Sequence, residues 1–134
     1  IRFRSLDGSK PKYLTVPGSR PRVYNTNALM KGGLEVGVCE GEIDAATLTV
    51  AGMPTAGLPG ATSWQDHWAP LFEGYQRVNV FTDGDDAGDK LSRQLAKILP
   101  NTRVIRFPDG EDANSVFQEL GAEGLRKYWI EEEF

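Results

Sequence analysis

The sequence predicts an α/β domain: a central parallel sheet of about four strands flanked by helices, preceded by an N-terminal antiparallel hairpin. Three observations point there. From Glu35 onward, short runs rich in β-branched and aromatic residues alternate with stretches of helical periodicity, the pattern of parallel strands joined by crossover helices. Before that point, residues 1–4 and 12–16 alternate apolar with polar side chains on either side of a Ser-Leu-Asp-Gly-Ser-Lys-Pro connection. Finally, three acidic clusters each fall where a strand of this pattern ends, the edge at which open α/β sheets bind ligands.

Taken in order, the hairpin is expected to turn Arg2, Arg4 and Lys12 outward, gathering basic charge on one face, and it needs support from the body. Pro17, Gly18, Pro21 and Asn25-Thr26-Asn27 make an irregular link that breaks at Gly32-Gly33. The first core strand covers residues 36–39 and passes through Glu40-Gly41 into a helix over 42–51, with Ile43, Ala46, Thr47 and Val50 on its apolar face and Gly52 as its stop. A second strand covers 53–56. A Gly57-Leu58-Pro59-Gly60 loop follows, and Thr62 or Ser63 caps a helix that carries Trp64, Trp68 and Leu71 and ends at Gly74. Residues 78–82 form the third strand. The helix behind it aligns Ala87, Leu91, Leu95 and Ile98, pairs Asp86 with Lys90 and Asp89 with Arg93, and closes at Pro100. The fourth strand covers 103–107, Pro108-Asp109-Gly110 turns the chain, Asp112 caps a helix to Gly121, and a last helix holds Leu125, Tyr128 and Trp129. Glu131-Glu132-Glu133 reads as a solvated end or a cut linker.

A chain of 134 residues fits one globular domain, and no apolar run approaches the ~18 residues that a membrane-spanning helix needs. The opening at Ile1, without Met, a basic segment or an apolar leader, reads as a cut from a longer protein, with no signal peptide. The single cysteine, Cys39, cannot form an internal disulfide, and its apolar run gives it a packing role in a reducing compartment. Net charge of −4 conceals an asymmetry: residues 1–34 carry seven basic side chains against Asp7 alone, and residues 35–134 carry eight against eighteen acids. The chain therefore divides into a basic hairpin and linker over 1–34 and the α/β body over 35–134.

The chemistry centres on Phe81-Thr82-Asp83-Gly84-Asp85-Asp86-Ala87-Gly88. Carboxylates this close repel unless a cation or a proton lies among them, so a divalent metal competes with the simpler reading of an acidic helix start. Glu40 follows the first core strand, Asp83 and Asp85 the third, and Asp109, Glu111 and Asp112 the fourth, so one sheet edge can gather all of them. Gly41 and Gly84 permit tight turns behind the acids. Mg²⁺ suits such a set, because it takes one or two carboxylates together with water and phosphate oxygens. The Gly57 loop lacks the lysine and hydroxyl of a phosphate-binding P-loop. His67 lacks partners for a metal site or a catalytic triad, and Trp64, Trp68 and Trp129 stand at spacings that favour core packing over base stacking.

Val38-Cys39-Glu40-Gly41-Glu42-Ile43-Asp44-Ala45 resembles the glutamate motif of the Toprim family, and the Asp83 stretch resembles its DxD motif in the DGDxAG form of primases. Residues 51–57, 107–114 and 121–125 are also similar to bacterial and phage replicative primases, so the resemblance spans roughly Glu35 to Ile130. It implies a Toprim (Rossmann-like) fold and the metal-dependent catalytic domain of a DNA primase, a nucleotidyltransferase that makes RNA primers during DNA replication. Implied with it are Mg²⁺ or Mn²⁺, a single-stranded DNA template, nucleoside triphosphates, a replicative helicase or fused helicase domain, and the cytoplasm, that of a bacterial host if the protein is phage-encoded. No membrane enters this picture. The resemblance assigns catalysis to Glu40, Asp83 and Asp85, and metal binding to these three with Asp112. Glu40 either transfers a proton or holds metal. Primases usually place a second aspartate where Asn114 stands, which puts the outer metal position in question. Asp44 resembles an aspartate that follows the glutamate motif, and its helix position equally allows a capping role. Arg2, Arg4, Lys12, Arg20, Arg22 and Lys31 are the candidates for nucleic-acid and nucleotide contacts. The fragment alone is expected to synthesise weakly or not at all. Two other readings compete: strand cleavage of the Toprim nuclease or topoisomerase type, and a non-catalytic module that docks nucleic acid or a helicase.

Overall fold

The computed structural model describes residues 1–99 and 101–130, so the expected stop at Pro100 and the run Glu131-Glu132-Glu133 lie outside the described residues. A two-stranded antiparallel ribbon opens the chain, β1 (Arg2–Arg4) against β2 (Tyr13–Thr15), with Phe3 opposite Leu14. Its alternation is as expected, but its faces are exchanged. Arg2 turns toward the body, where its Nη1 donates to the Pro59 carbonyl at 2.8 Å, and Phe3 and Leu14 lie exposed. Alternation fixes which residues share a face, and the acidic body then attracts the basic one.

The body is a parallel sheet in the order β4-β3-β5-β6. Its strands are β3 (Glu35–Glu40), β4 (Thr55–Leu58), β5 (Arg77–Thr82) and β6 (Thr102–Arg106). Helices α1 (Glu42–Ala51) and α3 (Ala113–Arg126) cover one face, and α2 (Asp86–Ile98) with a 3-10 helix (Asp66–Phe72) covers the other. Period-two alternation sorts the two cores. Val36, Val38, Val78 and Val80 face Trp64, Trp68, Phe72, Leu91 and Leu95, while Cys39 and Phe81 face Leu48, Phe107, Val116, Leu125 and Trp129. Each such fully buried Leu or Phe contributes about 1.5–3 kcal/mol. All three tryptophans are core residues, His67 sits exposed beside Trp68, and Cys39 is buried, as expected.

Three local expectations are corrected. β4 begins two residues later than expected and takes in Gly57 and Leu58, because the chain there runs tight under α1: a Cβ on Gly57 would stand 2.7 Å from the Gly41 carbonyl oxygen. The buried face of α1 also differs, and Ala45 lies against Gly57. Small Ala45 and Ala51 with Leu48 are buried, and Ile43 and Val50 are exposed. The tryptophan segment is a 3-10 helix with Pro70 inside it and no side-chain cap, and Ser63 donates instead to the Gly60 carbonyl at 2.6 Å. Elsewhere Asp89 pairs with Arg106 at 2.7 Å, across to β6. The break at Gly121 holds, with φ 68° at a kink inside α3. The linker is held as well: Tyr24 exchanges two backbone hydrogen bonds with Gly57, at 2.8 and 2.9 Å, covering the edge of β4.

Candidate active site

The sheet order creates the site. β3 is the first strand of the body, and the chain leaves it toward β4 on one side and later returns as β5 on the other. Crossovers departing in opposite directions leave a crevice beyond the carboxyl ends of β3 and β5. Glu40 is the last residue of β3, and Asp83 is the first after β5.

Glycines let the acidic loops approach. A Cβ on Gly84 would fall 1.9 Å from the Pro108 carbonyl oxygen, so only glycine lets the loop after β5 lie against the loop after β6. Those loops are tied by backbone hydrogen bonds, Gly84 N–H to the Glu111 carbonyl and Gly110 N–H to the Gly84 carbonyl, both 2.9 Å. At Gly88 a Cβ would stand 2.3 Å from the Asp83 carbonyl oxygen, so the first turn of α2 packs onto Asp83. The carboxylates themselves are anchored at helix starts. Asp85 caps α2, accepting from Gly88 N–H at 2.7 Å, and Asp112 caps α3, accepting from Ser115 N–H at 2.7 Å while the Ser115 hydroxyl accepts from Asp112 N–H. Asp44, in the first turn of α1, does not cap its own helix. It accepts the Asn114 N–H at 3.0 Å and so joins the start of α1 to that of α3.

Glu40, Asp44, Asp83 and Asp112 line one cleft of about 210 Å³ together with Arg2, Arg4, Lys12 and Tyr13. Gathering acids there raises their proton affinity. Burial, then the charges of Asp83, Asp85 and Asp44, pushes the Glu40 carboxyl up to about 7. Burial and the Asp112 charge push Asp44 up to about 7, against the lowering effect of the Asn114 N–H and of Lys12. Asp83 rises to about 6, again from burial and then from Asp112 and Asp85, with Lys12 opposing. Glu40 Oε1 is buried and lacks a hydrogen-bond partner among the described residues. Among those residues no three His, Cys, Asp or Glu side chains converge tightly enough to enclose an ion unaided. An all-oxygen, half-built set with an orphaned carboxylate oxygen fits a hard divalent cation that keeps water and phosphate ligands, which is the habit of Mg²⁺.

The expected site residues do not all meet. Asp85 is exposed as the α2 cap and is not in the cleft's lining. Arg20 and Arg22 line a neighbouring, larger cleft of about 810 Å³, which shares Arg2, Arg4, Tyr13, Glu42, Ile43 and Pro59 with the acidic one. Lys31 is exposed after the 3-10 helix Thr26–Met30 and lines neither. Glu42 and Tyr13 were missed. Tyr13 lies between cations, with the guanidinium carbon of Arg2 4.6 Å and Lys12 Nζ 5.8 Å from its ring centroid. An aromatic residue inside a basic strand was the available signal for it. For Glu42, 40 positions from its partner Arg2, there was none.

Comparison with known proteins identifies the family and the fold. The Toprim-like family pattern matches residues 37–117. The gene 57 protein of Mycobacterium phage D29 is 48% identical over 125 residues, which cover 93% of this chain and 82% of the phage protein. The DNA primase of Aquifex aeolicus is 26% identical over 92% of this chain, which spans only 28% of that protein. Among solved structures, a DNA primase domain from Pseudomonas aeruginosa superposes with TM-score 0.75 and 29% identity, over 95% of this chain and 44% of that one. With its glutamate strand and its DGD strand side by side, this chain belongs to the Toprim-like family, as the Toprim domain of a DNA primase fold.

Proposed function

We propose that this domain carries the metal-dependent catalytic centre of a DNA primase, joining ribonucleotides on a single-stranded DNA template during replication. The observation that supports it most directly is the one cleft that Glu40, Asp83 and Asp112 line together with Arg4 and Lys12. Acids and cations lining one cleft suit a polyanionic nucleotide held together with Mg²⁺ or Mn²⁺.

In this reading Asp83 and Asp112 hold the metal with Glu40, and Asp85 serves both the site's charge and the start of α2. Bound there, the cation would neutralise the triphosphate and polarise its phosphoryl oxygens. Arg4 and Lys12 contact the phosphates, and Gly41 and Gly84 keep the turns tight enough for close approach. Glu40, whose Oε1 has no partner among the described residues, accepts the proton of the attacking 3′-hydroxyl. The new bond joins the 3′-oxygen to the α-phosphorus, and the bond to pyrophosphate breaks. Arg20, Arg22, Tyr13 and Tyr24 make the larger cleft basic and aromatic, suited to a single strand. Lys31, outside both clefts, is left to a peripheral phosphate contact. A replicative helicase, separate or fused, is the partner this activity requires, and the cytoplasm its setting.

The test is incorporation of labelled ribonucleotides on a single-stranded template with Mg²⁺ or Mn²⁺, comparing the wild type with Glu40→Gln and Asp83→Asn. Template-dependent products that both substitutions abolish support the reading. Nicking of supercoiled plasmid without ribonucleotide incorporation would overturn it in favour of strand cleavage.

A further inference from the structure

Arg2 is occupied in a way that phosphate binding does not require. Its Nη1 donates to Glu42 Oε1 at 2.5 Å and to the Pro59 carbonyl at 2.8 Å, and its guanidinium lies over Tyr13. Both members of the ion pair are largely withdrawn from solvent, with 24% and 26% of their side chains exposed. One side chain thus joins the basic ribbon to the first residue of α1 and to the segment just beyond β4. It also stands where the two clefts meet, since Arg2 and Glu42 line both.

The ribbon needs such a fixture. Two antiparallel strands alone are marginally stable in water, and the apolar residues that could dock them, Ile1, Phe3, Leu14 and Val16, are exposed. Arg2 Nη1 alone donates to both the carboxylate and the carbonyl, while the guanidinium carbon stands 4.6 Å from the Tyr13 ring centroid, and contacts to three separate groups fix where the side chain can lie.

We propose that Arg2 and Glu42 are positioning residues, whose ion pair pins the ribbon to the start of α1 and so keeps Arg4 and Lys12 in the cleft that Asp83 and Asp112 line, where a nucleoside triphosphate binds. The inference rests on the nucleotidyl-transfer reading above. Arg2 acts through the ribbon and not as a phosphate ligand, which separates it from Arg4 and Lys12.

The experiment measures three quantities in the wild type, Arg2→Gln, Glu42→Gln and the double variant: ATP affinity with Mg²⁺ by calorimetry, Mn²⁺ affinity without nucleotide, and amide exchange across β1 and β2. Each single substitution is expected to weaken ATP binding about tenfold, with the double variant no weaker than either, because both remove one interaction. Mn²⁺ affinity stays unchanged, and exchange across the ribbon rises in all three variants. Additive losses of ATP affinity, a parallel loss of Mn²⁺ affinity, or unaltered exchange would each overturn the proposal. If the wild type binds no ATP, the nucleotidyl-transfer reading fails instead. Exchange then decides the strut alone: a rise in Arg2→Gln upholds it and no change refutes it.

Discussion

Replacing Glu40 with Gln should make the metal-free protein more stable. The Glu40 carboxyl is half-buried, its Oε1 has no hydrogen-bond partner among the described residues, and its pKa rises from 4.5 to about 7. A carboxylate whose folded pKa is raised adds stability below its ordinary value and loses it as pH rises through the folded value. At about 1.4 kcal/mol per unit the full shift amounts to about 3 kcal/mol at pH 8. Solvent screening of a half-exposed group reduces this to about 1–2 kcal/mol. With an unfolding entropy of about 2 cal/mol/K per residue, the Gln variant should melt about 4–7 °C higher at pH 8. Near pH 3 Glu40 is protonated in both states, and the two proteins should melt together. Calorimetry in EDTA at the two pH values makes the comparison, and millimolar Mg²⁺ at the higher one should narrow the gap by stabilising the wild type selectively. A Gln variant less stable than wild type at pH 8, or an equal gap at both pH values, would refute the electrostatic account of this cleft.

Asp85→Ala removes the cap on Gly88 and should cost about 1 kcal/mol in urea unfolding, while Asp85→Ser, which keeps a cap but no charge, should cost only a few tenths. Gly84→Ala forces a Cβ to 1.9 Å from the Pro108 carbonyl oxygen, and a loss of about 3 kcal/mol is expected in the same measurement. Asn114→Asp adds a carboxylate beside Asp44, so Mn²⁺ titration should show affinity raised at least about threefold. The same variant should melt lower than wild type at pH 8 without metal, since the new charge faces carboxylates already short of protons.

The acids were legible because their chemistry and their place in the pattern coincide: Glu40, Asp83 and Asp112 each follow a β-like run, and strand ends on a parallel sheet share one edge. The helix with the clearest stripe, α2, was legible for a similar reason, since Leu91 and Leu95 are large and leave no doubt about the buried side. α1 was misread because its buried side holds small Ala45 and Ala51 beside Leu48, with Ala45 close over Gly57, and no local pattern reports what lies below a helix. The same contact hid the true extent of β4, where Gly57 looked like a loop residue and is instead a strand residue under a close crossing. The ribbon's orientation was illegible because alternation is symmetric. Distant partners, such as Glu42 and Pro59, 40 and 57 positions from Arg2, break that symmetry.

The two backbone hydrogen bonds between the loops at Gly84 and Gly110 bear on how quickly the site can work. Carboxylates hung on independent loops would swing apart at neutral pH, and each cation captured would first have to draw them back. Here the frame carries the repulsion in advance, so little reorganisation accompanies binding, and the metal-free and metal-bound backbones around Asp83 and Asp112 should superpose.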